Sequence, residues 1–205
     1  MATSLSDYNC SDRTAWHECG HAAIVALLGG HVTAVKAQPS SGLTEAYTTR
    51  RLSAALDTAI CLSGFAAEKV FCNSLAEMPE DYLARAEKLS NQNNDIAKAL
   101  KTLPTMASIQ RAIEILAADV FQIPVVRRAA ENLFGELKKG PLTRDQVKDA
   151  IDRAMSECGM TIYSTRFIVV LAVKGAIWEA KQQENEHVLQ HPEPERKHWW
   201  TAYLT

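Results

Sequence analysis

Hydrophobic and polar residues along most of this chain alternate with a helical period. From Ser53 almost to the C-terminus, apolar side chains recur at spacings of three and four residues, a pattern typical of helices that bury one face. The segments predicted to be helical are Ser53–Cys72, Pro79–Leu89, Asn93–Leu103, Thr105–Phe121, Pro124–Lys139, Arg144–Cys158 and Ile162–Glu186. The pattern therefore predicts a mainly α-helical fold.

The N-terminal part of the chain combines one helix with a β-ribbon. Ser11 or Asp12 can cap a helix that ends near Leu28, just before a Gly-Gly pair. His31–Gln38 then alternates like a strand, and a Pro-Ser-Ser-Gly turn leads into a returning strand over Leu43–Thr49. We therefore expect a short two-stranded ribbon directly after the first helix.

The chain shows no internal repeat and no low-complexity linker, which predicts one helical domain over residues 1–186. Residues 187–205 are expected to form a tail that is loosely ordered or lies against a partner surface. Pro124 suits the first position of a helix, and Thr143 with Gln146 predicts a capping box.

Composition favours a soluble protein. Of the 205 residues, 47% are hydrophobic and 22% are charged, and the net charge of -2 gives no reason to expect nucleic acid or an anionic membrane as a partner. The longest apolar stretch, Phe167–Trp178, contains Lys174 and is too short to span a bilayer. Scattered cysteines without C-x-x-C pairs, and an N-terminus without a secretory signal, predict a cytoplasmic protein with reduced thiols.

The segment His17-Glu18-Cys19-Gly20-His21 carries the clearest chemical signal. Residues four apart share one face of a helix, so His17 and His21 can direct two imidazoles at one metal ion. Glu18 falls where the general base of a zinc hydrolase is needed. A zinc ion with an open coordination position lowers the pKa of a water molecule to about 7. The motif predicts a zinc site; the alternative is a polar stripe of half-exposed histidines.

A catalytic zinc site needs a third protein ligand. The long zincin motif is excluded, because Ile24 and Leu27 occupy the positions of its glycine and third histidine. The remaining candidates are His31, Glu45, Asp57, Glu68 and Asp95. On an apolar helix, Glu68 could be a structural ion pair, a direct ligand or an acceptor for a ligand histidine's N–H. The alternative for Asp95 is an acidic residue in the first turn of a helix, where the helix dipole favours a negative charge.

Three motifs in order resemble the FtsH-like zinc peptidases. Ala15–Ala22 is similar to their metal helix, and Gly64–Glu68 is similar to their small-residue motif ending in Ala-Ala-Glu. Asn94–Ala99 looks like their later helix, whose aspartate is the third zinc ligand. The resemblance covers roughly Thr14 to Leu103 and extends less closely over Arg128–Ile151. It implies a helical array with a two-stranded ribbon, and Asp95 as the third ligand.

This chain departs from the family pattern at several positions. Cys19 stands where the family usually has alanine and is expected to be a packing residue; Phe65 replaces a basic residue, and Ser63 replaces a glycine. An insertion around Leu75–Leu89 precedes Asp95 and leaves Asp81 as a further candidate ligand.

The resemblance implies a zinc metalloendopeptidase that hydrolyses peptide bonds in peptides or unfolded proteins, with Glu18 as the general base. The strand Val32–Gln38 is expected to pair with an extended substrate. No G-x-x-x-x-G-K-[ST] loop is present, so we expect a separate ATPase partner or a restriction to flexible chains.

Two other functions stay open at this point. One is a catalytically inactive, peptidase-like zinc-binding module acting in protein–protein interaction; the other is an all-helical partner-binding protein with an accidental motif. The apolar face of Ile162–Trp178 is expected to be core, with a homo-oligomer contact as the alternative.

Overall fold

The computed structural model describes residues 10–38, 41–48, 52–72 and 95–186. Its helices are α1 Cys10–Leu27, α2 Ala54–Cys72, α3 Asp95–Ala99, α4 Met106–Ile115, α5 Pro124–Leu137, α6 Arg144–Glu157 and α7 Ile162–Glu186. Its strands are β1 His31–Gln38, β2 Ser41–Tyr47 and β3 Leu142–Thr143. The prediction of a mainly helical protein is confirmed. The predicted helix Pro79–Leu89, Asp81 and the tail lie outside the described residues.

Short sequence motifs predicted several of the helix boundaries. Pro124 occupies the first turn of α5, and Thr143 and Gln146 form the expected capping box at the start of α6. The helix predicted over Thr105–Phe121 is regular only as far as Ile115, after which one π-helical turn covers Leu116–Val120. The side-chain spacing does not reveal this change in the hydrogen-bond register.

The sheet has three antiparallel strands, so the prediction of a two-stranded ribbon was incomplete. β1 pairs with β2 along its length, and its other edge pairs with β3 through Ala34 with Thr143 and Val35 with Leu142. A two-residue strand is too short to show alternation, and it comes from more than a hundred positions away along the chain. The predicted turn was also too long, because β2 already begins at Ser41.

Helix α1 lies at the centre of the fold and packs closely on α2. At Gly20, an added Cβ would lie 2.5 Å from the carbonyl oxygen of Ser63 and 2.7 Å from Cβ of Ala67, so only glycine allows this approach. Trp16 on α1 is stacked between Phe71 of α2 and Phe134 of α5, at centroid distances of 4.0 and 3.9 Å. These contacts hold the motif-bearing helix in one orientation against both neighbours.

The inner face of α7 belongs to the core, as expected. Its buried residues include Val169, Val173 and Ile177, whereas Trp178 and Tyr163 are exposed. In the part of the chain that the structure describes, no single helix is long and apolar enough to cross a membrane; α6 and α7 pass that test only as a pair bent by 92°.

Candidate metal centre

The two histidines of α1 and the first residue of α3 converge on one point. Nε2 of His17 and Nε2 of His21 lie 2.9 Å apart. Oδ2 of Asp95 lies 3.3 Å from Nε2 of His21 and 3.9 Å from Nε2 of His17. These three atoms form a group that could hold a metal ion. The spacing of four residues on α1 brings the imidazoles together, and the packing of α3 against α2 supplies the carboxylate.

The geometry fits a tetrahedral ion. Zinc binds nitrogen and oxygen ligands at about 2.0–2.1 Å, which requires donor atoms to be separated by about 3.3 Å. The observed separations of 2.9, 3.3 and 3.9 Å bracket that value. Two imidazoles and one carboxylate also form a donor set of the type found in catalytic zinc sites with three protein ligands.

The second nitrogen of the His21 ring is held by α2. Nδ1 of His21 lies 2.7 Å from the carbonyl oxygen of Ile60, to which its N–H donates, and 3.3 Å from Oγ of Ser63. This hydrogen bond places the proton on Nδ1 and leaves Nε2 as the free donor for a metal. Ser63 in turn donates to the same carbonyl at 2.7 Å.

Glu68 holds the ring of His17 in the same way. Oε1 of Glu68 lies 2.6 Å from Nδ1 of His17, the nitrogen that faces away from the metal group. The other oxygen, Oε2, accepts a hydrogen bond from Nε of Arg13, and the ring of Phe65 meets the His17 ring edge-on at 4.7 Å. Three roles for Glu68 were open from the sequence. Its contact with Nδ1 of His17 corresponds to an acceptor for a histidine N–H, and Glu68 is not part of the metal group.

The charges around the group favour a cation between the imidazoles. Burial of the His17 ring lowers its pKa, but the carboxylates of Asp95 and Glu68 outweigh this effect and raise the pKa to about 9. Burial opposes ionisation of Asp95, yet His17 and His21 hold its pKa well below the usual range. The site therefore stabilises a positive charge, and a divalent ion can take that place when the proton leaves.

The edge strand β2 holds the side chain of Glu18. Oγ1 of Thr44 lies 2.6 Å from Oε2 of Glu18 and 3.1 Å from its carbonyl oxygen. A Cβ added at Gly42 would collide with the Glu18 carboxylate, so a side chain at position 42 would displace that carboxylate. Glu18 is buried at 7% exposure, and β2 determines the direction of its carboxylate.

A cavity of about 600 Å³ joins these groups. Its lining includes Glu18, His21, Asp95, Thr44, Leu43 and Tyr47. The volume falls within the range of pockets that bind small ligands or a few residues of a peptide. Glu18 and two members of the metal group, His21 and Asp95, therefore line the same space.

Gly64 on α2 completes the site by leaving room for the imidazoles. A Cβ at this position would lie 2.6 Å from Nε2 of His17 and 2.6 Å from Nε2 of His21. Any side chain at position 64 would therefore displace the two nitrogen atoms that face the metal group.

The structure keeps the other candidate ligands out of the group. His31 contacts the ring of Tyr47, Glu45 is exposed on β2, and Asp57 lines the cavity without joining the three ligand atoms. Cys19 is fully buried among apolar residues, as expected of a packing residue.

Sequence reasoning missed Thr44 and Arg13 as neighbours of the site. Each reaches it through a contact distant along the chain, Thr44 with Glu18 and Arg13 with Glu68. Neither residue carries a local signal that would have revealed such a contact.

Comparisons of this chain with protein-family models, with curated proteins and with solved structures found no match. Its function is therefore argued from the geometry of the site.

Proposed function

We propose that this protein is a zinc metallopeptidase. The observation that carries the proposal is the convergence of His17, His21 and Asp95, with 2.9 Å between the imidazole nitrogens. Two of these residues, His21 and Asp95, line one cavity together with Glu18. A purely structural zinc site usually closes with a fourth protein ligand and has no use for a base. Among the described residues, the group offers three ligand atoms, and its members His21 and Asp95 line the cavity.

His17, His21 and Asp95 would hold the ion, which when bound supplies a Lewis acid that activates water and polarises the peptide carbonyl. Glu18 accepts the proton of the attacking water and then passes it to the leaving amine. The hydrogen bond from Thr44 directs the Glu18 carboxylate during both transfers. Glu68 and the carbonyl of Ile60 keep the two imidazoles in the tautomer that presents Nε2.

We propose that an extended peptide segment binds along β2. The sequence led us to expect pairing of the substrate with β1, but β2 pairs along one edge of β1 and β3 covers Ala34 and Val35 on the other edge. β2 lines the cavity and, within the described residues, pairs with β1 alone. A substrate that adds to this edge would be aligned through its main chain, whatever its sequence.

The order of the three motifs supports a likeness to the FtsH-like zinc peptidases. The position of Asp95 beside the two histidines is consistent with that likeness. The substrate would be a peptide or an unfolded protein, since an edge strand accepts only extended chain. A folded substrate would first have to be opened by a separate ATPase.

Metal analysis combined with cleavage of casein, an unfolded protein, tests the proposal. We expect about one zinc ion per chain and cleavage that stops with a chelator and returns with zinc. Glu18→Gln should keep the zinc and lose at least about a hundredfold in rate, while Asp149→Asn, which changes an exposed carboxylate on α6 away from the cavity, should change neither.

Each other outcome has a definite meaning. A protein that binds no zinc would refute the metal site. Zinc binding without cleavage would refute the peptidase and favour a zinc-binding interaction module. Full cleavage by Glu18→Gln would refute Glu18 as the base.

A further inference from the structure

Arg13 reaches the metal group through Glu68. It lies on α1 one turn before His17, and its Nε donates to Oε2 of Glu68, whose Oε1 faces Nδ1 of His17. The Glu68 side chain is 7% exposed and the Arg13 side chain is 37% exposed. The three residues thus form a chain of contacts that runs from the protein surface to a proposed metal ligand.

Both oxygens of the Glu68 carboxylate are engaged, and this determines its orientation. One oxygen cannot turn away from His17 without also breaking the contact with Arg13. A carboxylate that loses one of two such partners can rotate about its terminal bond, which has a broad torsional preference. Arg13 therefore restricts the position of the acceptor that orients the His17 ring.

The charge of Arg13 matters more once a metal is bound. A histidine that ligates a metal through Nε2 is neutral and donates its remaining N–H from Nδ1. Among the described residues, Arg13 is then the permanent cation that contacts Glu68. A buried carboxylate without a cationic partner is costly, so the Arg13 charge stabilises Glu68 in the form that a ligand histidine needs.

We propose that Arg13 is a positioning residue of the metal centre: it holds Glu68 so that His17 presents Nε2 to the ion. This inference rests on the proposed zinc site, and it adds a residue that touches neither the ion nor the substrate.

If Arg13 only anchored α1, its loss should have the same effect as the loss of another ion pair in the same turn. A neighbouring ion pair therefore distinguishes anchoring from positioning. Asp12, the residue before Arg13 on α1, is buried and pairs at 2.5 Å with Lys138, which directly follows α5. Loss of that pair would loosen the same turn of α1 without touching Glu68. Lys138→Gln is therefore a matched control for the anchoring of the helix.

The main test is zinc affinity, measured by competition with a chelator of known affinity. We expect Arg13→Gln to weaken zinc binding about tenfold, the lower end of the effect of outer-shell partners. Arg13→Lys keeps the charge and should retain most of the affinity. Lys138→Gln should lower Tm but leave zinc affinity unchanged. In a Glu68→Gln background, Arg13→Gln should have no further effect on affinity, because its route to the metal is already broken.

A spectroscopic measurement reports on the contact itself. In the zinc-loaded protein, the Nδ1 proton of His17 should give a strongly downfield NMR signal, because it is hydrogen-bonded to the Glu68 carboxylate. Arg13→Gln should move or broaden that signal, and Lys138→Gln should not. This readout remains informative even if Arg13→Gln lowers stability, provided that the variant is folded.

The outcomes separate this inference from the proposed function. If the unmodified protein binds no zinc, the metal site itself is wrong. If it binds zinc and Arg13→Gln binds equally well, Arg13 has no positioning role. An equal loss of affinity in Arg13→Gln and Lys138→Gln would overturn the inference in favour of helix anchoring.

Discussion

The hydroxyl of Thr44 lies 2.6 Å from Oε2 of Glu18, across 26 positions of sequence. This hydrogen bond joins the edge strand β2 to the helix that carries the metal motif. The residue proposed to move protons is thus oriented by the same strand that is proposed to receive the substrate. The proposed proton transfer and the proposed alignment of the substrate would therefore both depend on this interaction between α1 and β2.

Thr44→Val should impair cleavage without removing the metal. Valine has nearly the same shape but cannot donate, so the Glu18 carboxylate loses its direction. A hydrogen bond to a charged group contributes about 1.5–3 kcal/mol, so we expect kcat to fall by at least about tenfold. Zinc affinity should be unchanged, because no contact of Thr44 involves a proposed ligand. Steady-state cleavage of an unfolded protein, with metal content measured in parallel, provides the check.

Thr33→Val is the matched control for this change. Thr33 is exposed on β1 and donates to the backbone oxygen of Glu45 at 3.1 Å. It therefore also joins a strand to β2, but its hydrogen bond does not involve Glu18. Its replacement should leave kcat unchanged. Equal rates for the Thr44 variant, the Thr33 variant and the unmodified protein would show that β2 does not orient the base.

Gly64→Ala should abolish zinc binding. The new methyl group would lie 2.6 Å from both Nε2 atoms of the proposed ligands, so the imidazoles must move apart. Alanine is otherwise the better helix former by roughly 0.5–1 kcal/mol, so a loss of metal would not reflect a weaker helix. Zinc titration and thermal unfolding of the metal-free variant separate these two effects.

Gly135→Ala serves as the comparison, because a Cβ added at Gly135 on α5 meets nothing within 4 Å. This variant should bind zinc normally and be slightly more stable. Normal zinc affinity in both glycine variants would contradict the assigned position of the metal.

Asp95→Asn and Glu68→Gln should differ in their effect on zinc affinity. Asp95 is the proposed third ligand, so its loss should cost roughly a hundredfold or more, whereas a partner of a ligand typically costs about 10- to 100-fold. Asp57→Asn, which changes an exposed acid of the same cavity, should have no effect. Chelator competition gives all three values, and a larger loss for the Glu68 variant would reverse the assignment of the third ligand.

Cys61 should react slowly with thiol reagents despite lining the cavity. Burial, together with the negative charge of Asp95, raises the pKa of its thiol to about 11. Because the thiolate is the reactive form, its labelling at neutral pH should be about a hundredfold slower than that of an unperturbed cysteine. The rate should rise about tenfold per pH unit until the pKa is reached. Mass spectrometry of the Cys61 peptide measures this rate, and rapid labelling near neutral pH would contradict it.

Local patterns predicted the parts of this fold that depend on neighbouring residues. The spacing of His17 and His21 places both on one face of α1 whatever surrounds the helix. The alternation over His31–Gln38 corresponds to β1 with the expected ends, and the capping box at Thr143 starts α6 as predicted. Each of these features needs only a few residues close in the chain.

The sequence by itself determined a helix with two histidines on one face, a carboxylate beside the first of them, and the mainly helical character of the chain. Only the tertiary structure decided that Asp95, and not Glu68, joins the histidines, that Thr44 and Arg13 hold Glu18 and Glu68, and that β1 lies inside a three-stranded sheet. The physical reason is that helical and strand periods arise from local backbone geometry. Contacts between residues 26 or 55 positions apart depend instead on how the packed elements are oriented.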